Sequence, residues 1–370
     1  MSHYIGATVF FMKKILLLAA IVVVSAACFN AKLSAQGCVA IRSTGGAVDM
    51  HHNSDSAAWL LNVNNRYYRS YKHFVGTVEQ KQRQTLGNEV INHGYTMDLA
   101  LTRVIDSRWS LGMDVPIESN ARSSMYEHGN QRHDTHSYGI GDVRFSAYRW
   151  MFDPKKSFKG NLQLGLGIKL PTGDYKYQDR FRLTDSTSVY GPVDQSIQLG
   201  DGGTGFTLEI NGYYNFTRVI GVYGNLYYLS NPREQNGVST GRGLPVSPAS
   251  IKIGSDVMSV PDQYMFRAGV NVNLNNFSAF AGIRKECIPV RDLIGGSQGF
   301  RRPGYIISAE PGVTYKIKNV SIYFYAPIAL KRNRTQSVPD QNKTAQTGVY
   351  TQGDAAFADY ATNLGISFKF

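Results

Sequence analysis

The 370-residue sequence lacks a long apolar run beyond its first 35 residues, and it is poor in charge and in cysteine. A membrane helix needs about 18 or more apolar residues in a row, so residues 36–370 contain no candidate helical span. Charged residues make up 18% of the chain, against about a quarter in ordinary soluble proteins. The net charge is +12, but no Lys/Arg-rich run occurs. Nucleic acid is therefore not expected as a partner.

The first 35 residues have the pattern of a cleaved secretory signal peptide. Lys13 and Lys14 precede the apolar segment 15–27, and small residues around Ala35 suit cleavage. Met12 is an alternative start, because residues 1–11 add nothing to this pattern. We therefore expect the chain to be exported.

Residues 36–56 are rich in glycine and poor in core-forming side chains. They are expected to form a periplasmic tail or a partial plug in front of a main domain over residues 57–370. Two cysteines follow the signal segment, Cys38 and Cys287. An exported compartment permits a disulfide between them, and two independent thiols are the alternative.

Apolar residues take every second position in about twelve segments of the main domain. Between Leu162 and Leu170 the alternate places hold only Gln163, Gly165, Gly167 and Lys169. This period of two predicts β-strands. Most segments run for 9–14 residues, which fits tilted membrane-spanning strands of about 9–11 residues better than globular strands of about 5–6.

The predicted connections alternate between short and long. Short turns lie at 106–108, 153–160, 217–219, 275–276 and 318–319. Long segments lie near 74–90, 119–138, 171–203, 230–262, 288–303 and 331–355. We therefore predict an all-β fold, a transmembrane up-and-down antiparallel β-barrel of about twelve strands with short periplasmic turns and long extracellular loops. A soluble periplasmic sandwich is the alternative, and it explains neither strand length nor loop asymmetry.

In such a barrel the apolar positions contact lipid, and the alternate positions face the lumen. This rule gives thirteen charged lumen candidates of mixed sign, which suits cross-strand ion pairs. They line a selective pathway or form a satisfied polar core. The candidates are Asp98, Asp114, Glu118, Asp142, Arg144, Lys169, Glu209, Arg267, Arg284, Glu286, Glu310, Lys316 and Asp359.

Inward tyrosines accompany these charges, and they suit either an aromatic solute track or simple space filling. They are Tyr213, Tyr223, Tyr227, Tyr323 and Tyr325.

No catalytic, cofactor or metal site is predicted. A barrel phospholipase would need a Ser and a His on neighbouring strands facing lipid. His93 has no such serine nearby. The histidines of the loop segment "EHGNQRHDTH" match no standard metal-binding spacing. We therefore expect a protein that is not an enzyme.

Two segments one hairpin apart resemble a known family. "GIGDVRFSAYRWM" (139–151) is followed by "LQLGLGIKLPTGDY" (162–175), as in the outer-membrane barrel family named for the MetA pathway of phenol degradation. The resemblance implies an outer-membrane protein that passes or binds small, often hydrophobic compounds, and it brings no catalytic residues. The matching motif residues are Gly139, Gly141, Asp142, Leu170, Pro171, Thr172, Gly173 and Asp174.

The expected function is an outer-membrane channel or transporter for small solutes, including hydrophobic or aromatic ones, in a gram-negative bacterium. A non-transporting structural or surface-interaction barrel is the main alternative, and a barrel enzyme is the third. The expected partners are outer-membrane lipid, a small-molecule solute and the barrel assembly machinery. The last would read the C-terminal strand, which ends in the aromatic Phe370.

Overall fold

The computed structural model describes residues 58–370. The predicted signal segment, the predicted tail and Cys38 lie outside these residues. Nineteen strands occur between Trp59 and Lys369. In chain order they are β1 (Trp59–Val75), β2 (Val78–Glu79), β3 (Ile91–Val104), β4 (Trp109–Ser124), β5 (His133–Ile140), β6 (Arg144–Trp150), β7 (Gly160–Lys169), β8 (Gln178–Arg182), β9 (Ser188–Pro192), β10 (Gly205–Asn215), β11 (Ile220–Ser230), β12 (Gln235–Ser239), β13 (Val257–Ser259), β14 (Gln263–Leu274), β15 (Phe277–Ile288), β16 (Gly304–Ile317), β17 (Val320–Tyr325), β18 (Ile328–Arg334) and β19 (Ala355–Lys369).

The long strands close into one antiparallel barrel. Each strand pairs with its neighbours along the chain, and β1 closes the wall by pairing with β19 from Leu60↔Lys369 to Phe74↔Ala355. Two wall positions are each shared by two shorter strands, β5 with β6 and β17 with β18. Counted this way the wall has twelve strands, and the predicted fold class is confirmed.

Both interrupted wall positions lie opposite a proline. Strand β4 pairs with β5 from Ile117 onward and with β6 up to Asp114, and Pro116 lies between the two stretches. Likewise β16 pairs with β18 up to Ala309 and with β17 from Gly312 onward, with Pro311 between. Proline cannot donate to the ladder, so the partner strand can leave the sheet at these points.

The wall is polar inside and apolar outside, which is the reverse of a soluble protein. Leu166 is 66% exposed on the outer face, whereas Lys169 of the same strand is only 7% exposed. Glycines on the inner face leave room for large neighbours. A Cβ on Gly165 would lie 2.6 Å from the Tyr148 ring. The predicted alternation thus places leucine against lipid, with polar groups and glycine toward the lumen.

The long connections carry the remaining structure. Strands β8 and β9 form a hairpin, and β12 pairs with β13. A short 3₁₀ helix spans Gln195–Ile197, and three α-helices also occur in the described residues. These are α1 (Gln82–Thr85), α2 (Pro248–Ile253) and α3 (Val338–Thr347). No helix within residues 58–370 is both long enough and apolar enough to cross a membrane.

Candidate functional site

Two long connections fold into the lumen and form a small apolar core there. Val193, Ile197 and Leu199 of the segment 193–203 are almost fully buried, as are Met258 and Val260. We call residues 193–203 the inner loop. The Gln195 side-chain amide donates to the Ser259 carbonyl over 2.9 Å, which joins the two connections. Loops that would otherwise be solvated therefore narrow the barrel from within.

The two motif segments, 139–142 and 170–174, hold the inner loop in place through Asp142. One carboxylate oxygen accepts from the Gly173 backbone N–H at 3.0 Å. The other accepts from the Asp201 backbone N–H at 3.2 Å and from the Lys169 ammonium at 2.9 Å. The ammonium also donates to the Asp201 carboxylate. Both halves of the motif and the end of the inner loop therefore meet at one side chain.

The other motif residues support the same junction. Thr172 donates its hydroxyl to the Gly141 carbonyl at 2.9 Å and accepts from the Val143 N–H at 2.8 Å. A Cβ on Gly173 would lie 2.3 Å from the Leu199 carbonyl oxygen, so only glycine lets the inner loop approach this closely. Asp174, in contrast, is exposed, and its carboxylate accepts from the nearby Lys176 N–H. Asp142 and Gly173 thus contact the inner loop, Thr172 joins the two halves of the motif, and Asp174 does neither.

The start of the inner loop is fixed by a buried charge cluster around Asp194. Its carboxylate accepts from both terminal nitrogens of Arg302 at 2.8 Å and also from Arg242. Arg122 of β4 lies 3.6 Å away, and Glu127 pairs with both Arg122 and Arg242. Burial alone would raise the pKa of Asp194, but the three guanidinium groups hold it well below its usual range.

A cavity of about 200 Å³ lies between the inner loop and the wall strands. Most of its lining residues have polar side chains, and they include Gln195, Ser196 and Gln198 from the loop. Six of the predicted lumen residues also line it, namely Asp98, Asp114, Glu118, Asp142, Arg144 and Lys169.

Five further candidates form ion pairs across the barrel interior. Glu310 accepts from Arg284 at 3.0 Å and pairs with Arg267 at 3.5 Å. Arg284 also donates to Glu286 at 2.9 Å. Glu209 accepts from the Tyr148 hydroxyl at 3.1 Å and pairs with Arg144. We call Glu310, Arg267, Arg284 and Glu286 the mid-barrel cluster.

The last two candidates lie away from this interior. Asp359 accepts from the Tyr71 hydroxyl at 2.7 Å and from the Lys72 ammonium at 3.1 Å, in the half of β19 next to its long loop. Lys316 is exposed and lines an opening of about 550 Å³ among the short turns, together with Lys159 and Arg218. The predicted set is therefore spread over the cavity, the mid-barrel cluster and both ends of the barrel.

The inward tyrosines mostly pack against one another. Tyr223, Tyr323 and Tyr325 form a buried cluster with Phe280, and the two rings of Tyr323 and Tyr325 stack at 6.1 Å between centroids. Only Tyr227 of the five lines the cavity, where the Arg144 guanidinium lies 5.3 Å from its ring centroid. Space filling accounts for the three tyrosines of the cluster.

Several residues of the site were missed by the sequence analysis. Arg66 and Arg122 follow the same alternation as the predicted candidates, so the rule that found Asp114 could have found them. Asp194, Asp201 and Arg302 lie in long connections without a period, and no local signal marks them.

The predicted Cys38–Cys287 disulfide stays a prediction. Cys287 is buried near the end of β15 and lies opposite Tyr264 of β14. This is the end of the strand next to the long connection 289–303. Its proposed partner lies outside residues 58–370.

Comparison with known proteins identifies the fold but does not show a family. No family model matches the sequence, and no curated protein matches it. An outer membrane channel from Pseudomonas putida F1 is similar in structure, with a TM-score of 0.60 at 11% identity, covering 90% of this chain and 100% of that one. At this identity the likeness shows the fold alone. The resemblance to the MetA-pathway family therefore stays a prediction.

Two other solved structures are more distant. The translocator domain of the autotransporter NalP from Neisseria meningitidis has a TM-score of 0.44 at 12% identity, covering 87% of this chain and 91% of that one. The P. putida toluene transporter TodX has a TM-score of 0.39 at 11% identity, covering 86% and 91%. Likeness at this level carries no argument about function.

Proposed function

We propose that this chain is an outer-membrane channel that passes small polar solutes through a lumen narrowed by its inner loop. One observation carries the proposal. A cavity of about 200 Å³, most of whose lining residues have polar side chains, lies inside a barrel whose outer face is apolar, and the inner loop bounds it. The similar barrel from P. putida is itself described as an outer membrane channel, which supports this proposal.

The cavity lining favours polar over hydrophobic or aromatic solutes. An apolar solute would have to remove water from the carboxylates, amides and guanidinium groups around it, which is unfavourable unless each regains a partner. Aromatic solutes are the second candidate class, because Tyr68 and Tyr227 offer two rings at the cavity. The solute class can be tested separately from the existence of the pathway.

The proposal places the protein in the outer membrane of a gram-negative bacterium after removal of its signal segment. Its apolar outer face would contact lipid, and its last strand would be read by the barrel assembly machinery. Phe370 is exposed, and its carbonyl accepts from the Trp59 N–H at 2.7 Å where the barrel closes. The terminal aromatic is therefore accessible at the closing seam.

The test releases the inner loop. Asp142→Ala removes the side chain that joins the motif to Asp201, so the loop should leave the lumen and single-channel conductance should rise several-fold in a planar bilayer. Swelling of vesicles in small neutral sugars should accelerate in parallel. Asp174→Ala is the matched control, because it alters the same motif without touching the loop.

A folded barrel with no conductance and no swelling in the wild type or in Asp142→Ala would refute the channel. That result would favour the structural alternative, in which ion pairs and the tyrosine cluster simply fill the lumen. Folding is checked by the shift in electrophoretic mobility on heating, so that an unfolded variant is not mistaken for a closed one.

A further inference from the structure

Asp98 lies in the wall of the cavity, and none of the described residues provides its carboxylate with a counter-ion. It lies in the middle of β3, opposite Asn64 of β1 and Pro116 of β4. It lines the cavity, and its carboxylate forms no hydrogen bond or ion pair with any of residues 58–370. Neither cross-strand neighbour is charged, and Pro116 has no backbone N–H to donate. A negative charge is therefore presented to whatever occupies the cavity.

The cationic side chains around the cavity are in a different situation, because each already has a carboxylate partner. Guanidinium and ammonium groups that are paired in this way offer little to an anionic solute. The pairs are Arg144–Asp114 at 2.9 Å, Lys169–Asp142 at 2.9 Å, Arg301–Asp292 at 2.6 Å, Arg302–Asp194 at 2.8 Å and Arg66–Glu286 at 3.7 Å.

Two amide oxygens of the lining also lack donors. The Asn64 Oδ1 and the Gln198 Oε1 are buried without a hydrogen-bond partner among the described residues. Gln198 is only 9% exposed, and its amide nitrogen is directed to the Met258 sulfur at 3.0 Å. Together with Asp98 these atoms make three acceptors on one cavity. A ligand rich in N–H donors would satisfy them, and one rich in acceptors would not.

These observations select the chemistry of the solute. An ammonium group combines a positive charge with three donors and has no acceptor, so it complements an unpaired carboxylate that shares its cavity with amide oxygens. A carboxylate solute would meet Asp98 as a like charge. A cavity of about 200 Å³ is smaller than the roughly 300–1,000 Å³ of drug-sized sites, which limits the solute to a few carbon atoms.

We infer that the cavity binds small primary amines, with the ammonium group held by Asp98 and with Asn64 and Gln198 as further acceptors. The inference names a solute class for the proposed channel and rests on that function only for the route by which the amine arrives. Binding itself can be measured whether or not the barrel conducts.

The test is titration calorimetry on the folded protein in detergent near neutral pH. The probes are 1,4-diaminobutane, the uncharged butane-1,4-diol and the anionic succinate, which share a four-carbon chain. The diamine should bind at least about tenfold more tightly than the diol, and succinate should not bind. Asp98→Asn keeps the shape and removes the charge, so diamine affinity should fall about tenfold or more, or about 1.4 kcal/mol.

Asp134→Asn is the matched control, because Asp134 is exposed and outside the cavity lining. It should leave diamine binding unchanged. Equal affinity for diamine and diol, or diamine binding that Asp98→Asn leaves intact, would overturn the inference even if the barrel conducts. The wild-type barrel could bind the diamine and never conduct, while Asp98→Asn loses the binding. That result would support the amine site and refute the channel.

Discussion

Two buried carboxylates in this barrel are held in nearly the same way but belong to different kinds of chain segment. Glu310 pairs with Arg284 at 3.0 Å and Arg267 at 3.5 Å, and its side chain is fully buried. Asp194 is equally buried and pairs with Arg302 at 2.8 Å and with Arg242. Glu310 lies on the wall strand β16, whereas Asp194 lies on the inner loop.

The two clusters can control different properties of the barrel. A wall residue cannot leave the lumen while the barrel stays closed, because its backbone is hydrogen-bonded to both neighbouring strands. If its partner is removed, a wall charge stays buried and lowers the stability of the folded barrel. A loop residue can swing outward and regain water, so an uncompensated charge there changes the position of the loop. The mid-barrel cluster should therefore govern stability, and the Asp194 cluster should govern opening.

The largest expected effect comes from breaking the mid-barrel cluster. Glu310→Gln leaves Arg284 and Arg267 without the carboxylate they share, and breaking a buried pair typically costs about 3–5 kcal/mol. Urea unfolding in detergent, followed by electrophoretic mobility, should show a fall of about 3 kcal/mol in the free energy of unfolding. Asp134→Asn should stay within about 0.5 kcal/mol. A fall no larger than in that control would show that the cluster contributes nothing to the barrel.

The second-largest effect is expected on the lipid-facing side of the wall. Leu166→Asp places a carboxylate against lipid and should cost about 2 kcal/mol and lower the yield of folded barrel. Gln163→Asp is the matched inward control on the same strand, where polar neighbours such as Asn211 lie at 3.1 Å. Gly165 is unsuitable as a control, since any Cβ there would collide with Tyr148. Equal losses at positions 166 and 163 would contradict the inside–outside assignment.

The smallest effect on barrel stability is expected at the Asp194 cluster. Asp194→Asn weakens the hold of three arginines on the inner loop, so conductance should rise while the urea midpoint of the barrel changes little. A large loss of barrel stability with unchanged conductance would remove the distinction between the two clusters.

The lowered pKa of Asp194 predicts how docking of the inner loop depends on pH. The folded-state pKa is depressed, so the carboxylate stabilises loop docking fully above its unfolded pKa of about 4. That contribution is lost only as pH falls through the lowered folded value. Wild-type conductance should therefore not rise through Asp194 between about pH 8 and about pH 5. A steep rise within that window would mean that another group holds the loop.

Much of the wall could be predicted because its signal is local. The alternation around Leu166 reports which face meets lipid, and the same rule placed Asp142, Arg144 and Lys169 on the inside. The contents of the lumen follow no such rule. Asp194 meets Arg242 and Arg302 at separations of 48 and 108 residues, from connections that have no period. The motif around Asp142 and Gly173 was visible as a pattern, but its task as a loop anchor was not.

The period of two in the sequence was therefore enough to predict a closed barrel of about twelve strands and an alternation of lipid-facing and inward-facing side chains, because lipid lies outside and polar groups lie inside. How the lumen is filled depends instead on contacts between distant segments. The tertiary structure decided which of the inward charges are paired and left Asp98 as a carboxylate without a counter-ion among the described residues. The physical reason is that ion pairing depends on distance across the lumen, and a strand's own pattern carries no information about what faces it.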